Sequence, residues 1–307
     1  MMDRRSFLKT SIGVSTVLAT PIVSVLEALV PSSARAGTQL PYDLVAVRGG
    51  EPDAMFRKGI EALGGIQSFV KKGQKVVVKP NIGWDVTPER AGNTNPKLVS
   101  EIIKACYAAG AKEVVVFDHS CDQWQRCYTN SGIEKAVIDA GGKMLPANSE
   151  KYYQTVTVGG KVLKEAKEHE AVLEADVFIN VPILKNHDST KVTIAMKNLM
   201  GNVWNRGAWH SSDLHRCIAE FAAYRKPTLN IVDAYAVMKR HGPRGISVSD
   251  VTIMKAQILS TDIVAADAAA AKLYGLPPEQ VPHIRYAAEQ KVGEMNLEKL
   301  RIQRIAM

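Results

Sequence analysis

The 307-residue chain, 46% apolar, is long enough for one large domain or two small ones around a substantial core. Its formal charge of +8 comes without a lysine/arginine block or an aromatic-studded basic stripe. That pattern excludes nucleic acid as a partner and suits a small anionic ligand. The four cysteines, Cys106, Cys121, Cys127 and Cys217, form no CxxC pair, which removes thioredoxin-like and zinc-ribbon motifs.

Residues 1–36 read as a targeting segment. Arg4-Arg5 stands in a short polar stretch, residues 12–30 are mildly apolar, and Ala34-Arg35-Ala36 is a small-x-small site that places the cut before Gly37. Pro21 and Glu27 interrupt the apolar stretch, against a retained membrane span. The paired arginines mark the twin-arginine route, a receptor-read address that carries folded proteins. The expectation is therefore recognition by the twin-arginine machinery, a periplasmic location, no stable membrane span after cleavage, and a single domain over 37–307.

Strand-like apolar runs then alternate with helical patterns. A strand is expected at 44–47, a helix at 54–63 after Pro52, and a Val-rich strand at 75–78 of the kind buried on both faces. The helix at 96–109 has Asn95 as N-cap, Pro96 in its first turn and Gly110 as its stop. Its stripe of Leu98, Val99, Ile102, Ile103 and Cys106 has helical spacing. Next come a strand at 113–117, a helix at 133–140, and a hairpin of 153–158 with 162–163 around Gly159-Gly160. They are followed by a strand at 176–181 and helices at 192–200 and 214–224. The last elements are strands at 229–232 and 256–259 and an Ala-rich helix at 263–274 ending at Gly275. The fold class expected is α/β, a mostly parallel sheet with helices on both faces and a small hairpin insertion near 145–170.

Polar residues collect where these strands end: Lys79 and Asn81, Asp118 and His119, Lys185 and His187, Asp233, and Asp262. In an open parallel sheet, ligands bind beyond the carboxyl ends of the strands. Asp262, and in part Asp233, also suit helix capping. Lysine and histidine are not usual caps, so Lys79, Lys185 and His187 point to a site. Lys79, Lys185, Lys197 and Arg244 suit a phosphate or carboxylate, helped by the helix N-terminus at Asn95-Pro96. Asp118, His119, His187, Asp213, His215 and Asp233 suit a divalent metal or acid–base work. The narrower metal set is His187, Asp118, His119 and His215; the catalytic set is His187, Lys185, Asp118 and Asp233. His210 and His215 lack the i, i+4 spacing of a helical zinc pair, and His210 equally suits a surface or capping role. His169 and His283 read as structural or solvent-exposed. Cys106 reads as core. Cys121 and Cys127 share one loop, where a disulfide is open; their spacing fits known metal and cluster patterns poorly. No GxGxxG, P-loop, HExxH or GxSxG motif is present.

Several stretches together resemble the bacterial and archaeal family grouped as domain of unknown function 362. They are Val76-Val77-Val78-Lys79-Pro80-Asn81, the run from Asn180 to His187, Thr193 to Gly201, Ile231-Val232-Asp233, Gly242-Pro243-Arg244-Gly245 and Asp262 to Ala268. The resemblance adds Lys197, Asn198 and Asp267 to the candidates and supports Lys79, Asn81, Lys185, His187 and Asp233. It also implies an association with ferredoxin-like iron–sulfur modules, although this chain has no CxxCxxCxxxCP run and has Asn186 where the family commonly has Thr. The cofactor classes left open are a divalent metal and an iron–sulfur cluster. Three functions follow: an enzyme on a small anionic substrate, with metal assistance as one variant; a redox or cofactor-carrying protein exported folded; and an extracytoplasmic solute-binding protein.

Overall fold

The computed structural model describes residues 39–307, so the paired-arginine segment and its cleavage site lie outside the described residues. Strands β1 (Leu44–Arg48), β2 (Lys75–Pro80), β3 (Glu113–Val116) and β4 (Lys143–Met144) lie in the central sheet with β7 (Val177–Val181), β8 (Ile183–His187), β9 (Lys191–Thr193), β10 (Leu229–Met238), β11 (Val251–Ser260) and β12 (Ile302–Ala306). A separate hairpin is made by β5 (Tyr153–Thr157) and β6 (Glu165–His169). The main sheet order is β12-β1-β11-β10-β7-β2-β3-β4, with β8 on β10 and β9 on β8. Most pairs are parallel. β11 runs antiparallel to both β1 and β10. It follows β10 without a crossover helix, and only antiparallel neighbours can be joined that way.

Successive side chains of the central strands enter opposite cores, as the period of two demands. Val76, Val78, Val114, Val116, Ile179 and Ile231 pack with the helices Pro52–Ala62 and Pro96–Ala108. Val77, Val115, Phe178 and Val232 pack with Leu214–Tyr224 and Ile263–Tyr274. Both faces are covered, which is why these strands read as unbroken apolar runs. Each such fully buried side chain is worth about 1.5–3 kcal/mol. The helix Pro96–Ala108 starts as the sequence implies: Asn95 Oδ1 accepts from Lys97 N at 3.0 Å, a cap worth about 1 kcal/mol. No helix among the described residues is long and apolar enough to cross a membrane.

Three expectations need correction. The stretch expected as one helix over 192–200 starts as β9, paired with β8 through Lys185↔Thr193 and Asn186↔Val192. Val192, Thr193 and Ile194 are β-branched and favour the strand. Only Ala195–Asn198 is α-helical, and its start is capped from afar: Asp267 accepts from Ala195 N at 2.6 Å and from Met196 N at 3.1 Å. The hairpin's second strand is Glu165–His169 rather than 162–163, because the amides of Lys161, Val162 and Leu163 donate to the buried Glu220 carboxylate and not to a partner strand. His187, expected in a loop, ends a strand. Pro182 breaks the run between β7 and β8, and its carbonyl accepts from Asp233 N at 2.8 Å. The chain then passes to β8, which carries Lys185 and His187 out beyond the carboxyl end of β7.

Candidate functional site

Beyond the carboxyl ends of β2, β3 and β7, under the β8–β9 turn, lies a cavity of about 310 Å³. Its size is at the lower end for small-molecule sites. Lys79, Asn81, Asp118, His119, Lys185, His187, Lys197 and Asn198 line it, so eight residues singled out in the sequence converge here. Arg206, Trp84, Cys121 and His210 join them.

The charges are of two kinds. Lys79 is fully buried and saturated. Its Nζ lies 2.8 Å from Asp118 Oδ1 and donates to the Asn198 carbonyl at 2.8 Å and to Asn198 Oδ1 at 3.1 Å. Asp118 Oδ2 accepts from Ile82 N at 2.6 Å. Gly201 packs on this pair so closely that a Cβ there would collide with both Asp118 Oδ1 and Lys79 Nζ. Burial lowers the Lys79 ammonium from its usual range, and Asp118 opposes that shift.

Lys185 and Lys197 have no carboxylate. Lys185 is 1% exposed; its Nζ donates to Asn81 Oδ1 at 3.1 Å and to the Gly92 carbonyl, 5.9 Å from the Trp84 ring centroid. Burial, with Lys197 and Lys79 nearby, pushes it down to about 7. Lys197 has no hydrogen-bond or ion-pair partner among the described residues; burial and then Arg206 push it down to about 8. Arg206 donates only to neutral groups, the carbonyls of Ser120 at 3.1 Å and Met200 at 3.4 Å and the Cys121 sulfur at 3.4 Å. His187 is pushed down to about 2 by burial and by the two lysines, and is therefore neutral. Its Nδ1 accepts from Ser189 N at 3.2 Å, which leaves Nε2 as the N–H of the ring. His119 donates Nδ1–H to the Val203 carbonyl at 3.0 Å and stacks on Trp204, with its pKa lowered by burial and by Arg206.

Beneath the cleft a chain of amides crosses the sheet. Lys185 Nζ donates to Asn81 Oδ1; Asn81 Nδ2 to Asn198 Oδ1 at 2.9 Å; Asn198 Nδ2 to Asn180 Oδ1 at 2.9 Å; Asn180 Nδ2 to Asn230 Oδ1 at 3.0 Å; and Asn230 Nδ2 to the Ser260 carbonyl at 3.4 Å. Each amide is oriented by the next, so the direction of Asn81 Oδ1 toward Lys185 is fixed from strands away. Sequence reasoning missed Asn180 and Asn230. Their signal was a polar residue inside an otherwise apolar strand, in Phe178-Ile179-Asn180-Val181 and Leu229-Asn230-Ile231-Val232. It also missed Arg206 and Trp84, for which no local pattern stood out, and left His210 open between ligation and a surface or capping role; it lines the cavity.

Other candidates lie elsewhere. Asp233 does not line the cleft; it is buried, accepts from Asn95 N at 2.7 Å and Tyr235 N at 3.1 Å, and is pushed up to about 6 by burial. It serves the entry to the helix Pro96–Ala108 and is not placed for catalysis. Arg244 is exposed and pairs with Asp122 at 3.2 Å. His215 leaves the proposed metal set because its Nδ1 meets Nδ1 of the buried His283 at 3.0 Å. Asp118, His119 and His187 share the cavity, but Asp118 is committed to Lys79 and His119 to Val203, and His215 lies outside it, so the four do not form a metal-ligand set. Among the described residues no three His, Cys, Asp or Glu side chains are grouped to hold a metal. Cys106, Cys127 and Cys217 are buried thiols and Cys121 is exposed, all unpaired, so these cysteines do not fit an iron–sulfur cluster either. His169 is buried and caps the helix Glu170–Leu173 through Nδ1.

Residues 76–272 match the family model described as domain of unknown function (DUF362), and the chain belongs to that family. A thylakoid-associated protein of Synechocystis sp., sll1697, is 27% identical over 255 residues, 78% of this chain and 74% of its own length. Among solved structures, a Thermotoga maritima protein matches with a TM-score of 0.45 at 13% identity, over 74% of this chain and 60% of that one. The lactate racemase apoprotein of Thermoanaerobacterium thermosaccharolyticum matches with a TM-score of 0.43 at 12% identity, over 75% of this chain and 56% of its own. The chain thus spans under two thirds of both solved chains.

Proposed function

For this member of the domain of unknown function 362 family, we propose an enzyme that binds and transforms a small anionic substrate in the cleft of Lys185, Lys197 and Arg206. The observation that carries the proposal is uncompensated positive charge. Asp118 is spent on Lys79, and the other carboxylate lining the cavity, Asp188, is exposed. Partly desolvated cations with no anionic partner raise the energy of the empty protein and reward an anion that enters. Neutral His187 supplies a hydrogen-bond donor beside them. A small cleft with buried lysines whose pKa is depressed toward neutrality is the kind of place where proton transfer or nucleophilic chemistry is carried out.

The test is to incubate the protein with small organic acids and phosphate esters and to follow both thermal stabilisation and substrate turnover by NMR. The expected result is stabilisation by one class of anion and turnover within it, both reduced by Lys185→Ala and His187→Ala. Stabilisation without turnover would instead favour a solute-binding protein. Unchanged signals in both variants would defeat the proposal. Export through the paired arginines belongs to the same proposal: fractionation should find the protein in the periplasm, and Arg4→Lys with Arg5→Lys should retain it in the cytoplasm.

A further inference from the structure

Lys185 has more than a charge to offer. Its Nζ has four substituent positions: Cε occupies one, and N–H groups to Asn81 Oδ1 and the Gly92 carbonyl occupy two. The amide chain from Asn230 to Asn81 holds the first acceptor in place. One valence remains uncommitted on a side chain that lines the cavity while being 1% exposed. Lys79, equally buried, has no such freedom, because four oxygens surround it.

We propose that Lys185 is a catalytic residue that forms an imine with a small carbonyl compound carrying a carboxylate, of the 2-oxo acid class, whose carboxylate meets Lys197 and Arg206. This rests on the anion-binding proposal and names the substrate class for it. A desolvated lysine beside other cations favours the neutral amine, whose lone pair takes the uncommitted valence. The depression of Lys185 to about 7 agrees. The lone pair forms a C–N bond to the carbonyl carbon as the C=O π pair moves to oxygen; a proton shed by nitrogen passes to that oxygen and gives a carbinolamine. The hydroxyl then leaves with the second nitrogen proton as water, and C=N forms. Nothing is oxidised or reduced. His187, two residues along the same strand and hence on the same face, lines the cavity with an Nε2–H suited to the carbonyl oxygen.

The test uses unaltered protein, glyoxylate and sodium cyanoborohydride, with peptide mass mapping. The expected result is a carboxymethyl group on Lys185 that is prevented by excess oxalate, a dianion with no electrophilic carbonyl. The exposed Lys97 and Lys135 serve as controls that oxalate does not protect. Labelling of Lys185 should rise through about pH 7 and level off. An unmodified Lys185 with oxalate still stabilising the fold would overturn the imine and leave the anion site standing. Labelling on Lys197 instead would also overturn it. An unmodified Lys185 with no effect of oxalate would remove both proposals.

Discussion

Two buried charged regions of this domain are built on opposite plans. Where the β5–β6 hairpin meets the helix Leu214–Tyr224, every carboxylate is answered. Glu168, 0% exposed, is gripped by Arg225 at 2.7 and 2.9 Å and by Tyr224 at 3.3 Å, and Glu220 accepts from three successive backbone amides. In the cleft, Lys79 alone is answered, while Lys185, Lys197 and Arg206 face the cavity with neutral partners or none. The hairpin's charges hold structure in place. Those of the cleft are left open to a ligand, at a cost in stability to the empty protein.

The sharpest way to break that contrast is inside the cleft itself. Asp118→Asn strands Lys79 in a fully buried position, and loss of one partner of such a pair costs about 3–5 kcal/mol. Denaturant titration should show it as a fall in midpoint at constant slope. Next in size is pH. Lys185 and Lys197 have folded pKa values of about 7 and about 8, below the unfolded lysine value, so from neutrality upward the unfolded chain holds more protons than the folded one. Unfolding free energy should therefore rise with pH across that window, on the order of 1 kcal/mol per pH unit from Lys185 near about pH 8–9, and Lys185→Met should flatten the rise. A fall in stability there would contradict the charge assignments.

Asn180→Ala tests the amide chain. It leaves Asn230 Oδ1 without its partner in the sheet interior and removes one of the two acceptors of Asn198 Nδ2, which keeps the Lys79 carbonyl at 3.2 Å, for about 1–3 kcal/mol. It should also loosen Lys185, seen as slower and less selective glyoxylate labelling. The smallest effect is the most telling. Lys197→Ala, although it removes a residue from the cleft lining, should leave the stability of the empty protein within about 0.5 kcal/mol or raise it, because the ammonium has no partner to lose and like charges to escape. The same substitution at Arg225 would expose the other plan: Glu168 would be left buried and unpaired.

The cleft was more legible in the sequence than the architecture around it. Lys79, Lys185 and His187 could be found because lysine and histidine at strand ends are not usual helix caps, and Asp118 because it follows a strand beside them. Asp233 carries the same outward signal, but its carboxylate serves the amides of Asn95 and Tyr235. A strand-end aspartate reads alike in both roles. His215 was indistinguishable from a ligand because its partner, His283, stands 68 positions away. Residues 192–200 misled because their helical length held while the β-branched start belonged to β9. Arg206 gave no signal at all: its role depends on a turn that brings it over Ser120 and Cys121, which only the fold reveals.

The central claim is that the cleft awaits an anion, and calorimetric titration with oxalate at low ionic strength meets it most directly. The account predicts saturable binding of one oxalate per chain, weakened as salt is added and lost when Lys197→Ala is combined with Arg206→Ala. No heat with the unaltered protein, or equal affinity in the double variant, would contradict it.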